Sequence, residues 1–168
     1  MSLDGYLATK NDDISWLDSM ALEGEDYGYA AFNETVDTYI VGNKTYQVVL
    51  NLTGGFFPPA DQHTCYVITR SERTSENGVT FFNGNIVDLV ARLKAIPGKN
   101  IYCDGGATLV QMLMTEELID EFIISVIPIV LGDGKRLFKG GTPGSALEMV
   151  SCTPYPSGLV TLHYKRKT

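Results

Sequence analysis

Asp104-Gly105-Gly106-Ala107-Thr108-Leu109 sets an acid and two glycines at the point where an apolar strand gives way to a helix. Ile101, Tyr102 and Cys103 form the short apolar run before it, and Leu109, Val110, Leu113 and Met114 recur after it at helical spacing. Glycines at such a junction let the backbone come close to a ligand, and the first N–H groups of a helix have no intrahelical partner. The helix dipole adds roughly half a positive charge at that end. A phosphate or pyrophosphate suits this chemistry. A bare Gly-Gly can equally make a tight strand-to-helix connection with no ligand, so the motif alone leaves both open.

A second stretch repeats the arrangement. Gly42, Asn43, Lys44 and Thr45 follow a strand-like run and open a helical one, so their N–H groups and the Thr45 hydroxyl can also meet a phosphate. Two such corners suit a dinucleotide; the alternative is a helix start capped by Asn43 or Thr45. Thr69, Arg70 and Ser71 close another strand, the place where ligands of open α/β sheets gather. A guanidinium beside a hydroxyl suits a ribose 2′-phosphate, whereas an acid there would favour a free ribose hydroxyl. The alternative for Arg70 is a solvated side chain in a polar loop with Glu72 and Arg73.

Acids supply the remaining candidates. Asp4-Gly5 has ordinary turn chemistry. Asp104 ends a strand directly before the glycine corner, where it either orients a ligand or accepts N–H bonds from the turn. Asp26 and Glu34 lie on a helix expected over 25–35 and compete for contact with a substrate, against the commoner solvent-exposed role of helix carboxylates. His63 and His163 have no companion at metal-ligand spacing, so no metal site is expected.

The elements that must position these residues alternate through the first two thirds of the chain, which is the pattern of crossover units on a parallel sheet. Strands are expected over 38–41, 64–69, 79–82 and 100–104, and helices over 44–50, 86–95 and 107–115. A long strand over 118–127 follows, then a glycine-punctuated loop over 128–141, then two strands over about 147–153 and 159–166. Pro154, Pro156, Ser157 and Gly158 between the last two are turn residues, so that pair is expected to be a hairpin. The expected class is α/β: a mixed sheet flanked by helices, mostly parallel, with an antiparallel C-terminal hairpin.

A chain of 168 residues with net charge −7 is expected to form one domain that needs no disulfide or metal. Its acidic balance argues against a nucleic-acid partner, since Lys165-Arg166-Lys167 is the lone basic run. Cys65, Cys103 and Cys152 are distant from one another in sequence and sit in strand-like runs, as buried thiols in a reducing cytoplasm would. No apolar run reaches the roughly 20 residues needed to cross a bilayer, so no membrane partner is expected.

Five segments taken together resemble the dihydrofolate reductase-like family, in the branch related to the reductase domain of the bifunctional riboflavin-biosynthesis enzyme. They are Ser2-Leu3-Asp4-Gly5-Tyr6-Leu7-Ala8, Val41-Gly42-Asn43-Lys44-Thr45-Tyr46, Thr69-Arg70-Ser71, Asp104-Gly105-Gly106-Ala107-Thr108-Leu109, and Pro128-Ile129-Val130-Leu131-Gly132-Asp133-Gly134 with Leu137-Phe138. The resemblance implies a single reductase-type domain over 1–168 that holds NADPH on Gly42 to Thr45, Thr69 to Ser71 and Gly105 to Leu109. Family members usually carry Arg where this chain has Asn43, and Lys44, which lacks the planar fork of Arg, is the nearest compensating charge. The resemblance further implies that Asp4 lies over the nicotinamide and substrate in a loop completed by Trp16 and Leu17, that Asp104 lies near the substrate side, and that the loop around Gly132 packs beside the cofactor cleft.

The expected activity is hydride transfer from NADPH to a small pteridine-, pyrimidine- or carbonyl-type substrate, with Asp4 and Asp104 as catalytic candidates. The competing class is a non-catalytic nucleotide-binding or regulatory module on the same scaffold, with flavin-dependent chemistry third. Relatives often pair, so a homodimer is expected, with Ile123, Ile127, Leu147 and Tyr155 contributing. The family also begins with an apolar strand immediately before the Ser-Leu-Asp-Gly segment, in the middle of the sheet. Met1 precedes Ser2 directly here, and the functional protein is expected to have that strand or another segment in its place.

Overall fold

The computed structural model describes residues 1–141 and 144–167. In chain order the strands are β1 (Tyr6–Ala8), β2 (Val36–Gly42), β3 (Thr64–Ile68), β4 (Val79–Phe82), β5 (Asn100–Cys103), β6 (Glu121–Val126), β7 (Lys135–Arg136), β8 (Leu147–Pro154) and β9 (Val160–Arg166). The α-helices are α1 (Tyr29–Asn33), α2 (Asn43–Leu52), α3 (Ile86–Lys94) and α4 (Ala107–Thr115). The chain folds as two compact units, one continuous over Gly28–Met112 and one assembled from the segments on either side of it.

The central unit is a four-stranded parallel sheet in the order β4-β3-β2-β5. Its strands are short apolar runs bounded by turn residues, as buried parallel strands must be. Val36, Tyr39, Val41, Cys65, Val67, Val79 and Phe81 from the sheet form one core with Tyr46 of α2 and Phe57. Asn85 caps α3 by accepting a 2.8 Å bond from Val87 N–H, and Ile86, Leu89 and Val90 are the buried face of that helix.

Tyr46 is fully buried between Phe57 and Phe81, with ring centroids at 5.1 and 5.6 Å, and its hydroxyl has no hydrogen-bond partner among the described residues. Burying an unsatisfied hydroxyl costs on the order of 1 to 3 kcal/mol. Tyr46→Phe is therefore expected to raise the urea midpoint, with a gain of about 1 kcal/mol at unchanged slope; a loss of stability would mean that the hydroxyl is satisfied.

The flanking unit holds an antiparallel sheet in the order β6-β9-β8 and a two-stranded pair, β1 with β7. β8 and β9 form the expected hairpin, closed by Tyr155 N–H to Leu159 O at 2.9 Å and by Gly158 at φ +85°. Met1 and Ser2 run along β6: the Met1 ammonium donates to Ser125 O at 2.6 Å, and Ile127 N–H donates to Met1 O at 2.8 Å. Of the side chains expected on a pairing surface, Ile123 and Leu147 are exposed, whereas Ile127 is 5 % exposed and so unavailable to a partner. Tyr155 packs edge-on against Tyr27.

Two expected elements shrink, for local backbone reasons. The helix expected over 25–35 is only Tyr29–Asn33, because Tyr27 (φ 56°) and Gly28 (φ 78°) are left-handed and a right-handed helix cannot run through them. The strand expected from Leu118 begins at Glu121, because Glu117 takes the left-handed position after α4 and Leu118 N–H closes back on Leu113 O at 2.8 Å. Among the described residues no helix is long and apolar enough to cross a membrane.

Candidate functional site

The parallel register decides where the candidate residues go. Gly42 pairs with Ile68 and Ile40 with Cys103, so β2, β3 and β5 end at the same edge of the central sheet. The turns that follow them, 42–45, 69–71 and 104–107, are thereby gathered at the carboxyl edge, where parallel sheets bind ligands.

The two glycine corners touch. Gly42 N–H donates to Gly105 O at 2.8 Å. A Cβ on Gly42 would lie 3.5 Å from Gly106 N and 3.6 Å from Gly105 O, and one on Gly106 would lie 2.9 Å from Thr45 Oγ1, closer than real Cβ contacts come. Gly105, at φ +91°, faces open space: nothing lies within 4 Å of a Cβ built there. The Gly105–Gly106 peptide is cis.

α2 begins with Gly42 at its cap position and has no side-chain cap bond there. Gly42 has no side chain with which to cap the first N–H groups, so this helix start is built from backbone alone. Ala107 opens α4 and Thr108 is exposed beside it, while Leu109 is 4 % exposed and packs under the Gly42 corner. The cradle therefore combines open glycine backbone, two adjacent helix starts and a hydroxyl, a donor set that fits a phosphorylated dinucleotide.

Arg70 lies just past β3 and is exposed, without a hydrogen-bond or ion-pair partner among the described residues. Thr69 N–H is held by Phe82 O at 3.0 Å, and Ser71 N–H donates to Thr69 Oγ1 at 3.2 Å, which shapes the loop that presents the guanidinium. Lys44 is exposed in the first turn of α2.

Arg73, which the sequence marks only as a neighbour of Arg70 in a polar loop, lies in this neighbourhood. Its guanidinium lies 3.9 Å over the Phe81 ring, donates to Asn43 Oδ1 at 3.4 Å and pairs with Glu76 at 2.6 Å. The available signal was Asn43 itself, a short amide where the resembled family carries a cation.

Asp104 follows β5. Its N–H donates to Ile40 O at 3.1 Å, and its carboxylate accepts the Tyr102 hydroxyl at 3.1 Å rather than an N–H of the glycine turn. Burial pushes the carboxyl up to about 6, against a smaller opposing effect of the Tyr102 bond. Burial acts on its neighbours in the same direction: it raises Cys103 to about 11 and Cys65 to about 12, and raises the phenols of Tyr39 and Tyr102, so these four keep their protons at neutral pH. Behind them Tyr39 donates to Asn33 Oδ1 at 2.8 Å and meets the Tyr29 hydroxyl at 3.2 Å, and His63 Nε2 contacts the same Asn33 oxygen at 3.1 Å. An acid that titrates near 6 can hold a proton and release it close to neutral pH.

Asp4, in the flanking unit, is differently occupied. Its carboxylate accepts Ser2 Oγ at 2.7 Å, Gly132 N–H at 2.7 Å and Leu131 N–H at 3.1 Å, bonds that hold it below the usual carboxylate range with Ser2 contributing most. Arg136 lies over the Tyr6 ring and donates to its hydroxyl at 2.9 Å, and the pairs Lys10–Asp133 and Lys135–Asp12 tie the 9–13 loop to 132–135. Trp16 and Leu17 lie on a 3-10 helix, Ser15–Met20, in this same unit. Asp26 and Glu34, the two helix candidates, are exposed, and both lie outside α1, which starts only at Tyr29 and ends at Asn33.

The chain is similar to known proteins over nearly its whole length. The uncharacterized protein YwjB of Bacillus subtilis strain 168 is 44% identical over 167 residues, covering 99% of this chain and 94% of YwjB. The crystal structure of a protein from Shewanella sp. PV-4, provisionally named for riboflavin biosynthesis, superimposes with a TM-score of 0.88 at 31% identity, covering 100% of this chain and 96% of that one. Dihydrofolate reductase of Enterococcus faecalis, solved with NADP(H), shares the fold at a TM-score of 0.68 and 15% identity, covering 100% of this chain and 93% of that one. Residues 1–161 match the family model described as the RibD C-terminal domain, and with the glycine cradle at the carboxyl edge of its parallel sheet the chain belongs to that family.

Proposed function

We propose that this protein is an NADPH-dependent reductase acting on a small pteridine-, pyrimidine- or carbonyl-type substrate. Family and fold support a reductase-type function. The observation that carries the NADPH assignment is the joined corner: Gly42 bonded to Gly105, with the Thr45 hydroxyl beside Gly106 and the starts of α2 and α4 next to it. When bound, a reduced nicotinamide supplies a hydride to a polarised C=N or C=O bond.

The chain's own residues bind, orient and move a proton. Glycine backbone and Thr45 receive the pyrophosphate, and Lys44, Thr69, Arg70 and Ser71 take the 2′-phosphate side. Asp104, protonated below about 6, is the group that delivers a proton to the reduced substrate atom. Asp4 positions the 2–5 turn by holding Leu131 and Gly132 in place. The protein works in the cytoplasm as a homodimer, with Ile123 and Leu147 as its exposed apolar contacts.

The test is titration of the purified protein with NADPH and NADH, followed by NADPH oxidation against dihydrofolate, pyrimidine precursors of riboflavin and small aldehydes. Arg70→Ala is expected to weaken NADPH by about tenfold to a hundredfold, the equivalent of one charge-assisted bond, and to leave NADH nearly unchanged. Equal loss for both coenzymes would remove the 2′-phosphate role of Arg70. NADPH binding without turnover on any substrate would favour a nucleotide-sensing module instead.

A further inference from the structure

We propose that Arg73 is a second phosphate-binding cation of the coenzyme site and that Glu76 is its built-in counter-ion, exchanged for a coenzyme phosphate on binding. The proposal rests on the NADPH reading above. The Arg73 guanidinium is fixed on three sides: its face lies 3.9 Å over Phe81, one nitrogen donates to Asn43 Oδ1 at 3.4 Å, and another pairs with Glu76 at 2.6 Å. Asn43 is the first residue of α2, immediately after the Gly42 corner, so the cation is held beside the cradle rather than out in solvent.

Three physical points make this more than a surface ion pair. A cation near a helix N-terminus opposes the helix dipole, so Arg73, held on Asn43 at the start of α2, calls for an anion there. An exposed i,i+3 pair contributes little to stability, too little to be what anchors the loop, so Glu76 can be released cheaply. A guanidinium has five N–H donors, and stacking on an aromatic ring fixes its plane without consuming any of them. Side chains of Arg73 and Glu76 are 35% and 46% exposed, and Glu72, Thr74, Phe82 and Asn83 line the open groove beyond them, which leaves room for a ligand to reach the free donors.

The chemistry predicts opposite signs for the two partners. Arg73→Ala removes the cation and is expected to weaken NADPH by about tenfold, whereas Glu76→Gln frees it and is expected to tighten NADPH by a few fold. Both residues are exposed, so far-UV circular dichroism should match the wild type, and Arg73→Lys, which keeps charge without the fork, should lie between wild type and Ala.

Isothermal titration with NADPH and NADH reads the outcomes. Loss confined to NADPH in Arg73→Ala supports the proposal and puts the cation on the 2′-phosphate. Equal loss for both supports it and puts the cation on the pyrophosphate. Unchanged affinity for both, or weaker NADPH binding in Glu76→Gln, overturns it while leaving the reductase assignment standing. A wild-type protein that binds neither coenzyme removes both.

Discussion

Gly106→Val is expected to abolish NADPH binding, by more than about a hundredfold in Kd, while the protein still folds. A Cβ at this position would lie 2.9 Å from Thr45 Oγ1, so Thr45 must rotate or the corner must open, and the two γ-methyls of valine then enter the space beside the Gly42–Gly105 bond. The backbone itself tolerates the change, because Gly106 is not in the left-handed region, unlike Gly105 at φ +91°. Crowding of this kind costs about 1 to 3 kcal/mol, within the 5 to 15 kcal/mol by which domains are normally stable. Circular dichroism and fluorescence titration together decide the matter: a folded Gly106→Val protein with wild-type NADPH affinity would show that the corner does not face the coenzyme.

Asp104→Asn is expected to make the protein more stable and less active, and the stability gain should depend on pH. The folded carboxyl titrates near 6, whereas an ordinary one titrates at 3.8. Between those values the folded protein keeps a proton that the unfolded chain releases, so Asp104 costs nothing at low pH and costs progressively more as pH rises through about 4 to 6. A raised pKa of this size corresponds to about 3 kcal/mol above that window. Asparagine keeps the acceptor for Tyr102 and carries no charge. Its gain should be about 2 kcal/mol at pH 8, or roughly 5 °C in Tm, and should vanish near pH 4. Denaturation curves at the two pH values that show the same difference would mean that the carboxyl is not buried in the charged form. Loss of the proton donor should at the same time lower kcat by about a hundredfold or more.

The parts of the molecule that could be read from its residues are those whose signals are local. Apolar runs of four or five residues between turn residues located β2 to β5 to within two residues at either end, and the change to helical spacing after Gly106 located α4. Glycines at positions 42, 105 and 106 marked the cradle because each sits where a strand-like run gives way to helical spacing, and at Gly106 a side chain would also crowd Thr45 Oγ1. What escaped depends on contacts across the sequence or on single dihedrals. Tyr27 in the left-handed region cut short a helix that composition favoured, since nothing in a tyrosine announces a positive φ. β1 and β7 are three and two residues long and exist only because they pair with each other across more than a hundred residues. Arg73 was hidden for the same reason: its meaning lies in Asn43, thirty positions away. The raised pKa of Asp104 comes from its surroundings, which the sequence around it does not display.

The division of the chain has a consequence for biosynthesis. Every strand of the parallel sheet lies within one uninterrupted stretch, Gly28–Met112, so that block has all its partners as soon as it leaves the ribosome. Residues 1–8 are made before that block yet belong with strands made after it: Met1 and Ser2 lie along β6, and Tyr6–Ala8 pair with β7. Residues 1–8 must therefore wait, without those strand partners, while the middle closes, and it is during that interval that a chaperone would find something to hold.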